Sequence, residues 1–289
     1  MMKKILILGS AGTLGKSLLK NLQSKKNIYI KTLAKKKADY CIDLENFLKL
    51  KKILSTLNFD YVVNCAAYTN LDYCEKNYKK IIKINTLLPE KLSKYSMIYN
   101  FKYIHLSTDH IYVSRKNIQN TENSTIGWHN KYSKSKYLAE KKIINSKSLI
   151  VRTNFVANKF NTKSFIHWLG KSYKTKKKIS LFHDMYTSTI DLNTFSKILI
   201  KLIFNNSCGI FNIGCSEVLS KKDFALKYLK NIKKKLNYES ISTNDKGLLK
   251  VRRGNFLGLN INKIEKELKT KMPNSNKVIK NLIYENTRY

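Results

Sequence analysis

The sequence contains four Tyr-x-x-x-Lys pairs: Tyr112/Lys116, Tyr132/Lys136, Tyr137/Lys141 and Tyr173/Lys177. Residues four apart on a helix share one face, so on a helix each pair would set a phenol beside an ammonium group. An unperturbed phenol has a pKa of about 10, too high for easy proton exchange near neutrality. A neighbouring cation stabilises phenolate and brings the hydroxyl toward the range in which it gives and takes a proton. A chain with 56 Lys+Arg and 18 Tyr in 289 residues also produces such pairs by chance. Context has to separate them. Tyr132/Lys136 lies in "HNKYSKSKYLAEKK", at the start of a helical stretch that follows the strand-like "YIHLS" and continues to Glu140.

A second constellation opens the chain. "KKILILGSAGTLGKSLL" sets Gly9, Gly12 and Gly15 between an apolar run of strand length and an amphipathic helix, with Thr13 and Leu14 at the helix start. A dinucleotide site needs this arrangement, because glycines let the backbone turn sharply and approach a pyrophosphate whose charge meets free N–H groups at the helix N-terminus. The spacing is G-x-x-G-x-x-G. The next strand, "IYIKTL", ends without an acidic residue of the kind that holds a ribose 2′-hydroxyl, and Lys35, Lys36 and Lys37 follow it. Cations there favour NADPH over NADH, with a solvated lysine run as the alternative.

These residues need a frame. Strand-length runs alternate with helix-length stretches: "KILIL" then 13–24, "IYIKTL" then 45–57, "YVVNCA" then 75–98, "YIHLS" then 132–145, and "LIVRT". That rhythm predicts an α/β fold, a Rossmann-type doubly wound parallel sheet with helices on both faces. Past Thr153 it loosens into helices near 162–173 and 191–205, the strand "GIFNIG", a helix at 220–234 and a helical tail from Asn262. The expected division is 1–153 for the Rossmann domain and 154–289 for a smaller mixed α/β lobe, some of whose segments return to the first.

Composition excludes several classes. The formal net charge is +37, yet the lysines are spread over nearly every predicted element, without an aromatic ladder or a zinc pattern. Weak polyanion association is expected, and no specific nucleic acid. Cys41, Cys65, Cys74, Cys208 and Cys215 form no C-x-x-C pair and read as reduced, buried thiols of a cytoplasmic protein. No signal peptide and no apolar run long enough to span a membrane is read from the sequence. The five histidines show no metal-ligand spacing, and no G-x-S-x-G elbow points to a hydrolase. His105 alternates with Ile104 and Leu106 in a strand and reads as structural.

Together the motifs resemble the extended short-chain dehydrogenase/reductase superfamily and, within it, the dTDP-4-dehydrorhamnose reductase family. "GSAGTLG" is similar to that family's glycine motif, "ADYCIDLEN" to its adenine-contacting segment through Asp43 and Leu44, and "DYVVNCAAYTNLDYCE" to its third-strand block through Asn64, Ala66, Ala67, Tyr68 and Thr69. "INTLLPEKL" carries the matching Asn85. "IHLSTDHIY" resembles the family's Ser-Thr-Asp block, and Tyr132, Lys136 and Glu140 its Tyr-x-x-x-Lys-x-x-x-Glu. This context selects Tyr132/Lys136 from the four pairs.

The resemblance implies reduction of the 4-keto group of a nucleotide-linked 6-deoxy sugar by NADPH, with NADH possible, for cell-surface polysaccharide, in a protein that can form a homodimer. It implies that Tyr132 is the acid, that Lys136 lowers its pKa and bonds the nicotinamide ribose, and that Thr108 holds the carbonyl oxygen. Asp109 is either a substrate-side hydrogen-bonding residue or a cap after the strand; His110 is within reach of substrate on the same reading. Arg252, in "VRRGNF", would meet the diphosphate or close a surface ion pair. Phe155 stands where the family commonly has Trp, the loop "ENSTIGWHN" lacks the usual Pro, and "HDMYTSTIDL" follows the family pattern in part. A reductase, epimerase or dehydratase of a UDP-, GDP- or CDP-sugar and a non-catalytic dinucleotide-binding subunit are the competing readings.

Overall fold

The apolar runs of the N-terminal half form strands β1 (Lys3–Leu8), β2 (Ile28–Ala34), β3 (Tyr40–Cys41), β4 (Tyr61–Asn64), β5 (Lys102–Leu106) and β6 (Leu149–Thr153). With Gly209–Ile213 at one edge they make a seven-stranded sheet, in which β6, β5, β4, β1, β2 and β3 follow that edge strand in order. All five pairings among β1 to β6 are parallel. The order reverses direction at β1, as in a doubly wound Rossmann fold. The structure is a computed structural model that describes residues 2–113, 119–158, 161–162, 164–245, 247 and 249–287.

Strands buried on both faces read as continuous apolar runs, and here alternate residues serve opposite sides. Leu6, Leu8, Val62 and Tyr103 join one core cluster with Leu50 and Leu54 of α2 (Phe47–Thr56) and with Leu88 and Leu92. After α2 come α3 (Leu71–Lys76), α4 (Tyr78–Ile82) and α5 (Leu88–Ile98), which carries the last two leucines. α1 (Thr13–Gln23) buries Leu14, Leu18 and Leu22. Each such leucine contributes about 1.5–3 kcal/mol. α6 (Lys131–Lys142) starts at a reciprocal cap: Asn130 Oδ1 accepts from the Ser133 N–H at 2.8 Å and Ser133 Oγ from the Asn130 N–H at 3.1 Å.

The stretch 75–98, expected as one helix, is broken. Asn77, at φ −122° and ψ 40°, separates α3 from α4, and Lys83–Leu87 forms a π-helical turn before α5. Pro89 explains part of this, since it has no N–H for the Asn85 carbonyl in an α-helical ladder. The tail from Asn262 is also two helices, Asn262–Leu268 and Ser275–Thr287, separated by left-handed Lys269 at φ 47° and by Pro273.

The chain groups into two compact units. The first comprises Met1–Ile111, Gly127–Arg152 and Ser196–Phe211; the second, Tyr112–Ile126, Thr153–Phe195 and Asn212–Tyr289. The segment 112–126 thus leaves the N-terminal part with which the sequence groups it, and 196–211 supplies most of the edge strand and most of a helix to the first unit. The second unit is built from short pairings that alternation does not reveal: Ile179–Phe182 with Tyr238–Ile241, Ile190–Asp191 with Phe155–Val156, and Tyr186–Thr187 with both Leu219–Ser220 and Phe256–Leu257. All five cysteines are unbridged, but the expectation of burial fails for Cys41 and Cys208, which are exposed. Cys41 ends the two-residue edge strand β3, and Cys208 immediately precedes the other edge strand. No helix among the described residues is long and apolar enough to cross a membrane.

Candidate active site

Thr108 and Tyr132 of the first unit meet where β5 ends and α6 begins, and Lys136 lies one turn along α6. Thr108 follows β5 and is buried. Its hydroxyl donates to Asp109 Oδ1 at 3.2 Å and accepts from the His110 N–H at 3.2 Å. It also hydrogen-bonds with Tyr132, whose phenol group is enclosed although the residue as a whole is half-buried. The His110 ring meets Tyr132 edge-on at 6.2 Å between centroids. Lys136, one turn along α6, is only 3 % exposed. Its Nζ lies 3.1 Å from His105 Nε2.

The capping box fixes the first turn of α6, and the π-turn fixes the second. Asn85, fully buried in that turn, gives Nδ2–H bonds to the Tyr68 carbonyl and Ser135 Oγ and accepts from the Tyr68 N–H. Thr86 Oγ1 donates to the Ser135 carbonyl at 2.8 Å. Glu140, one turn beyond Lys136, is held by buried Arg152 through Nε and Nη2 contacts of 2.6–3.2 Å. Tyr132 and Lys136 are therefore pinned from both flanks.

Electrostatics correct one expectation. Burial, with smaller contributions from Asp109 and Cys74, pushes the Tyr132 phenol above its ordinary value, against the hydrogen bond with Thr108. Lys136 does not offset this. Burial lowers its ammonium to about 8, against the pull of Glu140, and its Nζ is engaged by His105. The His105 imidazole is held well below its ordinary value, by burial first and by the Lys136 charge second. Asp109 is completely buried beside His110, with 4.0 Å between Oδ1 and the ring Nε2.

The glycine turn fits a pyrophosphate. Gly9 is left-handed, at φ 72°, and a side chain there would meet the Ala66 backbone nitrogen at 2.8 Å. A side chain at Gly15 would meet the Gly9 carbonyl oxygen at 2.5 Å. Gly12 caps α1 with no side-chain hydrogen bond and no acidic residue follows in the first turn, so the backbone of Thr13 and Leu14 opens α1 at its positive end. Asn64 Oδ1 accepts from the Ala66 N–H at 3.1 Å. Ala67 is exposed, and Tyr68 stacks on Tyr73 at 5.4 Å. Leu44 is in the core, whereas Asp43 is exposed and paired with Lys35 at 2.8 Å. Asp39 turns back onto Thr32 and Lys31, which leaves no carboxylate standing free at the end of β2.

Phe155 and Arg252 belong to the second unit. Phe155 stacks on Phe195 at 5.3 Å, and Arg252 is exposed. Of the other Tyr/Lys pairs, Tyr137 packs on Trp128 at 5.2 Å with Lys141 over its ring, and Tyr173 lies beneath Lys234. Tyr112 is fully buried and donates to Asn212, while Lys116 lies outside the described residues. The reading of His105 as merely structural is incomplete, since its ring contacts Lys136. The signal was available in the spacing of Tyr103, His105 and Asn64, three polar residues within buried strands.

The spore coat polysaccharide biosynthesis protein SpsK of Bacillus subtilis is 26 % identical over 226 residues, covering 78 % of this chain and 77 % of its own. A dTDP-4-dehydrorhamnose reductase of Aggregatibacter actinomycetemcomitans is 24 % identical over 234 residues, 78 % of each chain. Among solved structures, dTDP-4-dehydrorhamnose reductase of Bacillus anthracis, in complex with NADP, superposes with a TM-score of 0.90 at 22 % identity, covering 99 % of this chain and 100 % of that one. The family model described as RmlD substrate binding domain matches residues 2–288, and the chain belongs to that family, within the extended short-chain dehydrogenase/reductase superfamily that its motifs resemble.

Proposed function

We propose that the protein reduces the 4-keto group of a nucleoside-diphosphate 6-deoxy sugar, with dTDP-4-dehydrorhamnose as substrate and dTDP-L-rhamnose as product, in the cytoplasmic synthesis of cell-surface polysaccharide. The observation that carries this reading is the hydrogen bond between the Thr108 and Tyr132 hydroxyls, with buried Lys136 one turn along the same helix, in the same unit as the Gly9–Gly15 turn. NADPH, when bound, supplies the hydride. Gly9, Gly12, Thr13, Leu14 and Gly15 hold its pyrophosphate, Ala66, Ala67 and Tyr68 line its path, and Asp43 and Leu44 meet the adenine side.

As hydride reaches the carbonyl carbon, negative charge develops on oxygen. Thr108 holds that oxygen by its hydroxyl and Tyr132 gives it a proton. The Lys136 ammonium would bond the nicotinamide ribose. Asp109 accepts the Thr108 hydrogen until the carbonyl oxygen takes its place, His110 would meet the sugar, and the family resemblance assigns Phe155 and Arg252 to the sugar nucleotide. The glycine cradle and the absence of a free carboxylate after β2 support the dinucleotide assignment, and the family relationship supports the substrate class.

Purified protein is incubated with dTDP-4-dehydrorhamnose and either NADPH or NADH, with UDP-, GDP- and CDP-linked 4-keto sugars in parallel. Stoichiometric NADPH oxidation with dTDP-L-rhamnose as product is expected. Turnover confined to another nucleotide would reassign the substrate. Dinucleotide binding without turnover of any keto sugar would favour a regulatory subunit.

A further inference from the structure

The sheet face beneath α6 carries three polar side chains in a row on β4 and β5. Residues two apart on a strand point the same way, so Tyr103 and His105 share a face, and the register sets Asn64 opposite His105. All three are buried. Asn64 Oδ1 accepts from the Ala66 N–H, which turns its Nδ2 toward the Tyr103 hydroxyl at 3.4 Å. That hydroxyl lies 2.9 Å from His105 Nδ1, and His105 Nε2 lies 3.1 Å from Lys136 Nζ.

The chain has a direction. An amide nitrogen donates and does not accept, so the Tyr103 oxygen accepts from Asn64 and keeps its own hydrogen for His105 Nδ1. Nδ1 then accepts, the ring proton sits on Nε2, and Nε2–H points at Lys136 Nζ, which accepts it only as an uncharged amine. An ammonium group needs the reverse. Nε2 must accept, the ring proton must move to Nδ1, and the Tyr103 oxygen then receives two N–H groups while its own hydrogen loses His105. Resting on the role given to Lys136 above, we propose that His105 is a positioning residue whose tautomer changes as Lys136 gains or loses its proton, so that the Asn64–Tyr103–His105 chain favours the amine and sets the pH above which reduction fails.

Burial disfavours the Lys136 ammonium and Glu140 favours it, and the His105 chain acts beside them. Glu140, from α6 itself, is engaged by Arg152. Asp109 and, from α3, Cys74 act on Tyr132. Glu75 of α3 is taken by Lys131, and Lys83 of the π-turn reaches Glu45. Because burial keeps the His105 imidazole from charging near neutrality, the change available to it is tautomeric.

The test uses the full chain without added dinucleotide, labelled with 15N-histidine or 13C-lysine and followed by NMR from about pH 6.5 to about pH 9.5. Lys136 is assigned by its loss in Lys136→Met, and His105 by its loss in His105→Gln. His105 is expected to pass from the Nδ1–H to the Nε2–H tautomer over the range in which Lys136 titrates. His105→Phe removes the donor to the amine and should raise the Lys136 midpoint by about half a unit or more. Tyr103→Phe releases the tautomer preference and should raise it by less, which keeps the proposal testable if His105→Phe fails to fold. A single His105 tautomer across the Lys136 titration, or a midpoint that stays or falls in every variant that folds, overturns it. None of these readouts needs substrate, so they stand apart from failure of the proposed function. If the sugar nucleotide is turned over, Tyr103→Phe should move the alkaline limb of kcat/KM by its own NMR shift, which a purely structural role would not do.

Discussion

Lys136→Met should make the protein more stable at neutral pH while abolishing turnover, and the size of the gain should depend on pH. The Lys136 ammonium is lowered by burial from 10.5 to about 8, so between those values the unfolded chain holds a proton that the folded chain has released. Unfolding free energy therefore rises with pH through this window, by about 1.4 kcal/mol per unit. The full shift corresponds to about 3 kcal/mol of cost at neutral pH, present below pH 8 and gone above the unfolded value. Methionine has similar length and no charge. Set against about 1 kcal/mol for the lost contact with His105, the variant should gain about 2 kcal/mol at pH 7. Urea denaturation of parent and variant at pH 7 and pH 9 reads the difference directly. Other groups titrate equally in both proteins and cancel, so the advantage of the variant should shrink by about 1.4 kcal/mol between these two values. An advantage that is the same at both pH values would mean that Lys136 does not titrate there, and would refute the reasoning.

Tyr132→Phe should lower kcat by orders of magnitude with little change in NADPH affinity, because the hydroxyl acts in the transition state; Tyr137→Phe, which alters the surface contact with Trp128, should leave both near the parent values, and the reverse pattern would displace the site. NADPH should bind more tightly than NADH by fluorescence titration, and joint replacement of Lys35, Lys36 and Lys37 by Ala should narrow the gap. Lys35→Ala alone should do less, since Asp43 already holds that side chain, and equal affinities in the parent protein would end the argument. Glu140→Gln should cost about 3–5 kcal/mol in urea denaturation by stranding the buried Arg152 charge, and the double variant with Arg152→Met should recover part of it.

The parallel sheet was legible because its strands are buried on both faces and therefore read as unbroken apolar runs, while the helices between them keep a 3.6-residue period. The glycine turn and the Tyr132/Lys136 pair were legible for a related reason: each is a local pattern whose geometry follows from one turn or one helix. The second unit was not, because strands of two residues carry no periodicity, and a helix such as Leu192–Phe204 begins in one unit and ends in the other. Nothing in the spacing of 71–98 announces a π-turn either, although Pro89 marks where an α-helical ladder cannot continue.

His105 marks a different boundary. From the sequence it is one polar residue in an apolar strand, and a buried histidine has many structural uses. Its meaning depends on partners 41 residues before it and 31 after it, Asn64 and Lys136, which only strand register and the seating of α6 bring together. Such a group is costly to bury unless every hydrogen bond is met. The chain that meets them also limits how Lys136 can hold its proton. The polar row that lets the sheet tolerate Asn64, Tyr103 and His105 is then the same row proposed to bias the ionisation of Lys136, so on that proposal the stability of this core and the proton on Lys136 are linked.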